Sequence, residues 1–220
     1  MFFERLRLIN DPVAGSGPWN MAVDEMLTQQ VIFPTLRIYQ WLEPTVSFGY
    51  FEKISEVRRA RPFEKLIRRW TGGGLVEHGS DWTYSLIVPA DHPFAREQRV
   101  ESYQLIHEVL QKLVLNECGI AVEIANDGEG AGEGCFQKPV RGDLLFHGQK
   151  IAGAAQRRTR NGLLHQGSVQ SIELAGLDPL RVAEAFGSDV TSIPLTDSEE
   201  KRAMELVSSR YGSAEWLERF

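Results

Sequence analysis

The sequence has few cysteines, no long apolar run and no signal-peptide core. Its 220 residues include two cysteines, Cys118 and Cys135, which are too few for a disulfide framework or a zinc cluster. No run of eighteen apolar residues is present, and the residues after Met1 enter a short strand pattern instead of a leader. These absences predict a cytoplasmic protein with reduced thiols and no membrane span.

An excess of basic residues is also lacking. The chain has 30 acidic and 24 basic residues, with a formal net charge of −6. Because broad nucleic-acid binding needs a basic surface that releases counterions, we expect no nucleic-acid partner. No histidine, cysteine or carboxylate set has ligand spacing, which predicts no metal site. The glycines of residues 127–134 alternate with acidic residues that would repel phosphate, so a dinucleotide site is not predicted there.

Internal repeats and low-complexity tracts are absent, and the length fits one large domain. Strand patterns precede, separate and follow helical ones, and several are joined by hairpin turns, which favours an α+β fold with a mixed, largely antiparallel sheet and flanking helices. Predicted strands cover residues 6–9, 36–41, 45–49, 81–88, 121–124, 141–146, 149–155 and 163–172. One predicted helix begins near residue 19 and ends before Pro34. Four others cover residues 52–62, 97–118, 178–186 and 197–211. The strands at 36–41 and 45–49 are expected to form a hairpin.

The most unusual stretch contains two arginines, Arg68 and Arg69, followed by Trp70, Thr71 and the three glycines of residues 72–74. Adjacent glycines lose much conformational entropy on folding, so they occur where the backbone takes left-handed angles or approaches a ligand closely. The strand pattern after residue 81 places them on a connection between strands. The alternative is an ordinary glycine turn with surface arginines.

Two residues are candidates for covalent or polar catalysis. Cys135 follows the acidic glycine loop, and a thiol with a pKa of about 8.5 needs a nearby cation such as Lys150 or Arg69 to act as a nucleophile at pH 7. Lys150 precedes a run of small residues at 152–155 that leaves room beside the strand, where an ammonium can donate to a carbonyl or phosphate. The alternatives are a small buried cysteine and a solvated lysine. Cys118, at the end of an apolar helix, fits an inert role better.

Two histidines, His78 and His165, are candidate bases or structural hydrogen-bonding groups. The order of residues leaves a Ser-His-Asp triad open, but no Gly-x-Ser-x-Gly elbow is present. The arginines of residues 157–160 are a candidate docking patch for an acidic partner, or a solvated hairpin tip.

Three motifs together resemble the lipoate-protein ligase and octanoyltransferase family. They are residues 68–74 with His78, residues 148–153 and residues 164–168; residues 20–25 and 47–49 also match, so the similarity covers about residues 6–172. The resemblance implies a biotin/lipoate ligase-type catalytic domain with an acyl tunnel. It implies one domain over residues 1–220, in which residues 178–220 form C-terminal helices without an accessory domain.

The resemblance also implies roles for individual residues. Lys150 would contact the acyl carbonyl, and Cys135 would carry the acyl group, with backbone amides near Gly72–Gly74 or Gly153 stabilising the oxyanion. The implied substrate-binding residues are Arg68, Arg69, Thr71, Gly72, Gly73, Gly74, His78, Asp143, Gly153, Ala154, His165 and Gly167.

Within this family, two chemistries compete. A transferase moves an octanoyl or lipoyl group from acyl carrier protein through the cysteine to a lysine of a lipoyl domain or glycine cleavage protein H, without a cofactor. A ligase uses ATP and magnesium to form an acyl-adenylate. Cys135 resembles the transferase cysteine, and about thirty residues after Ser192 are too few for an accessory domain, so transfer is favoured. Ligases often carry an Asn-Asp pair where this chain has Gly142 and Asp143. A nucleotide site that includes Asp143 is therefore an open alternative. A non-catalytic acyl- or carrier-binding module is the third alternative.

Overall fold

The computed structural model describes residues 1–126, 138–172, 174 and 176–220. Among these residues it contains eleven strands and seven α-helices. The strands are β1 (Phe3–Asn10), β2 (Thr35–Tyr39), β3 (Thr45–Phe48), β4 (Leu66–Arg68), β5 (Val76–His78), β6 (Trp82–Pro89), β7 (Glu123–Ile124), β8 (Leu144–Phe146), β9 (Gln149–Arg158), β10 (Gly162–Val169) and β11 (Gly187–Ser192). The helices are α1 (Gly17–Gln30), α2 (Ile54–Ala60), α3 (Pro93–Arg96), α4 (Arg99–Cys118), α5 (Pro179–Phe186), α6 (Asp197–Leu206) and α7 (Ala214–Leu217).

Eight strands form a large mixed sheet in the order β11-β1-β2-β6-β10-β9-β8-β7. The pairs of β1 with β11 and β2 are parallel, and the others are antiparallel, which confirms the predicted fold class. The central strands β6 and β10 are buried almost throughout. Two apolar clusters pack against the sheet. The first includes residues of α4, and the second includes residues of α1.

The long helix α4, predicted over residues 97–118, buries an apolar stripe. Ile106, Leu110, Leu113 and Val114 are buried in the first cluster, as expected for apolar residues at spacings of three and four. Gly119 ends the helix in a left-handed conformation with φ of 68°, and its N–H donates to the carbonyl of Leu115. Glycine adopts this angle without steric cost, so Gly119 forms the C-cap of α4.

A second, smaller sheet has the order β4-β3-β5. It shows that the predicted hairpin between residues 36–41 and 45–49 is wrong: β2 pairs with β1 and β6 in the large sheet, whereas β3 pairs with β4 and β5. Both strands are buried on both faces. A strand without alternating polarity gives no sign of its partner, so proximity in sequence was a poor guide.

The C-terminal region contains more than the two predicted helices. After α5, residues 187–192 form the edge strand β11, parallel to β1. A π-helical turn at Val207–Tyr211 extends α6, and the short α7 follows. The missed strand contains glycine, serines and aspartate, which are poor strand formers, so its pairing comes from tertiary contact with β1. That one domain spans residues 1–220 without an accessory domain stays a prediction.

Hairpin turns flank β9 as the sequence predicts. His147 and Gly148 connect β8 to β9, both with positive φ of 50° and 75°, respectively. Residues 159–161 connect β9 to β10, which pair in antiparallel register from Leu163 to Val169. In the part of the chain that is described, no helix has the length and apolarity needed to cross a bilayer.

Candidate acyl-binding site

A cavity of about 210 Å³ lies between the small sheet and the β6-β10-β9 part of the large sheet. Met21 from α1, Tyr39 from β2 and Trp41 after it give apolar walls, and Leu75 and Val76 close the side of the small sheet. The polar lining comes from strands of both sheets, from the residue after β4 and from α4. It consists of Ser47, Arg69, His78, Thr83, Tyr103, Lys150, Gln166 and Ser168.

Lys150 projects from β9 into one corner of the cavity. Its Nζ lies 2.8 Å from Oδ2 of Asp143, which is fully buried. Asp143 Oδ2 also accepts from the backbone N–H of Val140 at 2.8 Å, and Oδ1 accepts from the hydroxyl of Tyr103 at 2.5 Å. Tyr103 in turn accepts from the N–H of Ala154 at 2.8 Å. The carboxylate therefore fixes the ammonium against the strand.

Gly153 leaves the space in which the end of Lys150 lies. A Cβ at this position would be 2.6 Å from Lys150 Cε and 2.7 Å from its Nζ. Both distances are shorter than van der Waals contact. A side chain at residue 153 would therefore displace the lysine.

The glycine segment crosses the mouth of the cavity, as a close-approach loop should. Arg69 holds it: Nη2 donates to the carbonyls of Gly72 at 3.0 Å and Gly74 at 2.9 Å. Gly73 has a φ of 85°, a left-handed angle that glycine adopts without steric cost. A Cβ on Gly49 would lie 1.8 Å from the carbonyl oxygen of Gly73, so the two backbones touch.

His78 lies at the end of β5, between two hydrogen-bonding partners. Its Nε2 is 2.7 Å from Ser47 Oγ, and its Nδ1 is 2.7 Å from Asp81 Oδ2. Trp41 stacks on the imidazole at a centroid distance of 4.0 Å. Burial lowers the pKa of His78, and the hydrogen bond to Asp81 only partly opposes this, so the ring is neutral at pH 7.

Arg68 points away from the cavity. It is fully buried and donates to the carbonyls of Tyr50, Glu52 and Leu217, at 2.8, 2.7 and 2.9 Å, and to that of Trp216 at 3.1 Å. Arg68 thus anchors α7 to β4. Its predicted contact with substrate stays untested, and these bonds favour an anchoring role.

A buried network that the sequence analysis did not identify supports the cavity from beneath. Asp24 accepts from Arg37 at 2.7 Å, from Ser85 at 2.5 Å and from Gln166 at 2.7 Å. Gln166 accepts from the hydroxyl of Thr71 at 2.7 Å. The network therefore joins α1, three strands of the large sheet and the glycine segment. Two adjacent carboxylates, Asp24 and Glu25, inside the otherwise apolar stretch of residues 21–27 were the available signal.

His165 is buried on the α4 side of the sheet, where it does not line the cavity. Its Nε2 is 3.0 Å from the hydroxyl of Tyr84, and its Nδ1 is 3.1 Å from Gln156. His107 packs against it at a ring distance of 5.7 Å. Burial lowers the pKa of His165 well below its usual value, so it is a neutral hydrogen-bonding residue.

The structure gathers most of the predicted site residues at the cavity. Those in its lining are Arg69, Gly73, Gly74, His78, Lys150, Gly153, Ala154 and Gly167. Thr71, Gly72 and Asp143 lie directly behind lining residues through the bonds described above, whereas Arg68 and His165 lie elsewhere. Cys135 is outside the described residues. Tyr103, Ser47 and Asp81 were not predicted as site residues. The bonds of Tyr103 and Ser47 join distant segments, whereas Asp81 lies three residues after its partner His78.

The cavity, its glycine mouth and the lysine corner all lie within residues 16–172, which match the family model described as the lipoyl protein ligase A/B catalytic domain. The chain belongs to this family. The resemblance predicted from the three motifs is thereby confirmed.

Two relatives within the family are named octanoyltransferase LipM. The protein from Carboxydothermus hydrogenoformans is 38% identical over 169 residues, which are 72% of this chain and 62% of that protein. The protein from Kyrpidia tusciae is 34% identical over 211 residues, which are 87% of this chain and 75% of that protein. The chain thus spans a little under two thirds of the first relative's length.

The family fold is also seen in a solved structure described as a putative lipoate protein ligase from T. acidophilum with bound lipoic acid. It superimposes with a TM-score of 0.76 over 99% of both chains at 20% identity. At this identity, the likeness shows the fold alone.

No group of three or more histidine, cysteine or carboxylate side chains is arranged to hold a metal ion within residues 1–126, 138–172, 174 and 176–220. Cys118 packs beside the first apolar cluster, where burial raises the pKa of its thiol. A raised pKa lowers the thiolate fraction, so Cys118 is poorly suited to act as a nucleophile.

Proposed function

We propose that this protein is an octanoyltransferase that moves an octanoyl group from acyl carrier protein, through a thioester on Cys135, to a lysine of a lipoyl domain or of glycine cleavage protein H. The observation that carries the proposal is the cavity, whose apolar walls meet a carboxylate-held ammonium, Lys150. Relatives named octanoyltransferase support the same chemistry.

The walls of the cavity suit a medium-length acyl chain. Met21, Tyr39 and Trp41 are at least 93% buried and present apolar surface, as do Leu75 and Val76 near the mouth. At about 0.8 kcal/mol for each buried methylene, an octanoyl chain gains on the order of 5 kcal/mol before ordering costs. The chain can therefore be held without a charged anchor for its tail.

The proposed reaction has two acyl transfers. The Cys135 thiolate attacks the carbonyl carbon of the octanoyl thioester, and the carrier thiolate leaves. The neutral amine of the acceptor lysine then attacks the Cys135 thioester, an amide bond forms, and the departing cysteine sulfur takes up the proton that the nitrogen releases. Atoms and charge balance without ATP.

Lys150 stabilises the charge that develops on the carbonyl oxygen. An ammonium fixed in advance beside the reacting carbonyl needs no reorganisation when the oxyanion forms, which is the usual source of such catalysis. Asp143 and Tyr103 hold it in place. Burial, followed by the nearby Asp143 carboxylate, raises the pKa of Tyr103 well above its usual value, so its hydroxyl stays a donor to Asp143.

The test is intact-mass measurement of the purified protein with octanoyl acyl carrier protein in the absence of ATP. We expect an octanoyl adduct on the parent protein and on Cys118→Ala, and none on Cys135→Ala. Lys150→Ala is expected to slow adduct formation about 10²–10³-fold. Transfer to a lipoyl domain without a Cys135 adduct would overturn the thioester route.

The same samples distinguish the alternatives. An ATP- and magnesium-dependent ligase would instead show pyrophosphate exchange that depends on lipoate or octanoate. A non-catalytic module would bind the acyl carrier without turnover in the parent or in either variant. Either result would reject the proposed transferase.

A further inference from the structure

A continuous chain of hydrogen bonds connects Asp81 to the glycine segment. Asp81 bonds His78 at 2.7 Å, His78 bonds Ser47 at 2.7 Å, and Arg69 donates to Ser47 Oγ at 2.7 Å. The second nitrogen of the guanidinium holds the carbonyls of Gly72 and Gly74. We call Asp81, His78, Ser47 and Arg69 the relay.

The direction of every bond in the relay follows from its two ends. A guanidinium can only donate, so Ser47 Oγ accepts from Arg69 and its own proton is available for His78 Nε2. A carboxylate can only accept, so His78 carries its proton on Nδ1 and donates it to Asp81. Asp81 is fixed by the hydroxyls of Thr83 at 2.8 Å and Ser168 at 2.6 Å.

The order of groups is that of a Ser-His-Asp triad, but the surroundings do not suit a nucleophile. Ser47 has 0% exposure, and its oxygen already accepts from Arg69. The side chains of His78 and Asp81 are 5% and 2% exposed. Both imidazole nitrogens of His78 already make hydrogen bonds. To accept a proton from a substrate, His78 would first have to break its bond to Ser47.

We propose that His78 is a positioning residue, which orients Ser47 and Arg69 so that the backbone of Gly72–Gly74 keeps the shape that receives the acyl carbonyl. His78 does not take a proton from the acceptor lysine. The inference rests on the proposed acyl transfer only in naming an acyl carbonyl as the bound group. The claim that His78 keeps the glycine segment in shape does not depend on that function.

The structural part is tested by NMR without any acyl substrate. In the parent protein, ¹⁵N shifts of His78 should show a protonated Nδ1 and an unprotonated Nε2 at pH 7. Backbone order parameters of residues 72–74 should be about 0.85 and fall below about 0.6 in Ser47→Ala and in His78→Ala. The double variant should be no more mobile than either single one, because both changes break one chain.

Ser80→Ala is the matched control, since Ser80 is exposed near the same strand end and lies outside the relay. It should leave the order parameters of residues 72–74 unchanged. A protonated Nε2, or an unchanged glycine segment in His78→Ala with native stability in urea, would overturn the proposal. Neither result depends on whether the protein transfers acyl groups.

His78→Gln separates positioning from proton transfer. The glutamine amide oxygen can accept from Ser47 but cannot act as a base near pH 7. Positioning predicts that this variant keeps the rigid glycine segment and a kcat within about 5-fold of the parent, whereas loss of a general base lowers kcat about 10²–10⁴-fold. A rigid segment combined with the larger loss would overturn the proposal. If the parent shows no transfer, the proposed transferase function is rejected. The NMR measurements still test the positioning role of His78 independently.

Discussion

At the scale of single residues, Gly153 controls the position of Lys150 by having no side chain. Gly153→Ala would place a methyl group 2.6 Å from Lys150 Cε, so the lysine side chain must leave its present position. We expect kcat for the proposed octanoyl transfer to fall about 10²-fold, as for the loss of an oxyanion donor. The free energy of unfolding should change little, because the clash is with the end of a flexible side chain.

The control for this variant is Gly176→Ala, where an added Cβ has no atom within 4 Å. Both proteins are compared by steady-state transfer assays and urea unfolding. An unchanged kcat in Gly153→Ala would show that Lys150 does not need this corner for its function.

The buried carboxylate of Asp24 stabilises the layers beneath the cavity. Its side chain and that of Arg37 are both 0% exposed, and their atoms are 2.7 Å apart. Among the described residues, Asp24→Asn leaves the guanidinium with Asp11 as its remaining ionic partner, so we expect a loss of about 3 kcal/mol in the free energy of unfolding. Urea titration should show a change within about 0.5 kcal/mol for the exposed Asp189→Asn. Equal effects would contradict the importance of the buried pair.

The predicted site residues lie in unusual local motifs, whereas the missed ones do not. Lys150 and Gly72–Gly74 could be identified from local motifs, because a glycine run or a lysine beside small residues is unusual by itself. Asp24, Asp81 and Tyr103 are ordinary residues in sequence. Tyr103 bonds Asp143, 40 positions away, and Asp24 bonds Gln166, 142 positions away, so no local pattern could reveal these contacts. Asp81 lies only three positions after its partner His78, but an aspartate close to a histidine is too common in sequences to indicate a hydrogen-bonded pair.

At the scale of elements, Arg68 is the connection between β4 and α7. Four backbone carbonyls accept from its buried guanidinium, and Trp216 Nε1 donates to the carbonyl of Arg68 at 3.0 Å. Lysine cannot reach several separated carbonyls from one point charge. We therefore expect Arg68→Lys to cost about 2–3 kcal/mol of stability and to make residues after 212 sensitive to limited proteolysis.

Arg58→Lys is the comparison for that change. Arg58 also contacts α7 through Glu218, but both side chains are about half exposed, and such pairs contribute little. If the two variants are cleaved at equal rates, the buried guanidinium does not anchor the helix.

Glu199 connects α6 to β1 in a way that depends on pH. Arg7 donates to its two oxygens at 2.6 and 2.9 Å, and this hydrogen bonding lowers the pKa of Glu199 from about 4.5 to about 2. The stabilisation is present above pH 4.5 and is lost as the pH falls towards 2. Glu199→Gln should therefore be less stable than the parent at pH 7, and the difference should shrink between pH 4.5 and 2. Glu205→Gln, in an exposed pair with Arg202, should show no such trend.

The types of most elements followed from sequence, whereas their pairing did not. The helix stripe of α4 and the turns around β9 are local signals. Assignment of β2 and β3 to different sheets depends on which buried surfaces meet, and β11 exists because β1 offers an unpaired edge.

At the scale of the whole molecule, three neutral histidines are enclosed in the fold: His78, His107 and His165. Burial lowers the pKa of each, that of His107 from 6.5 to about 4. Between these pH values the unfolded chain binds protons that the folded chain does not. The contribution of these histidines to the free energy of unfolding is therefore complete above pH 6.5. It decreases as the solution is acidified, by at most about 1.4 kcal/mol per pH unit for each histidine.

His107 allows this coupling to be measured apart from the cavity, because it does not line it. Neither of its ring nitrogens makes a hydrogen bond of normal geometry with the described residues, so His107→Leu removes a desolvated polar ring at little cost. We expect urea unfolding of this variant to depend less on pH between 6.5 and 4 than that of the parent. The exposed His147→Asn keeps a residue suited to positive φ and should leave the slope unchanged. A slope unaffected by His107→Leu would mean that this histidine takes up its proton in the folded protein as readily as in the unfolded chain.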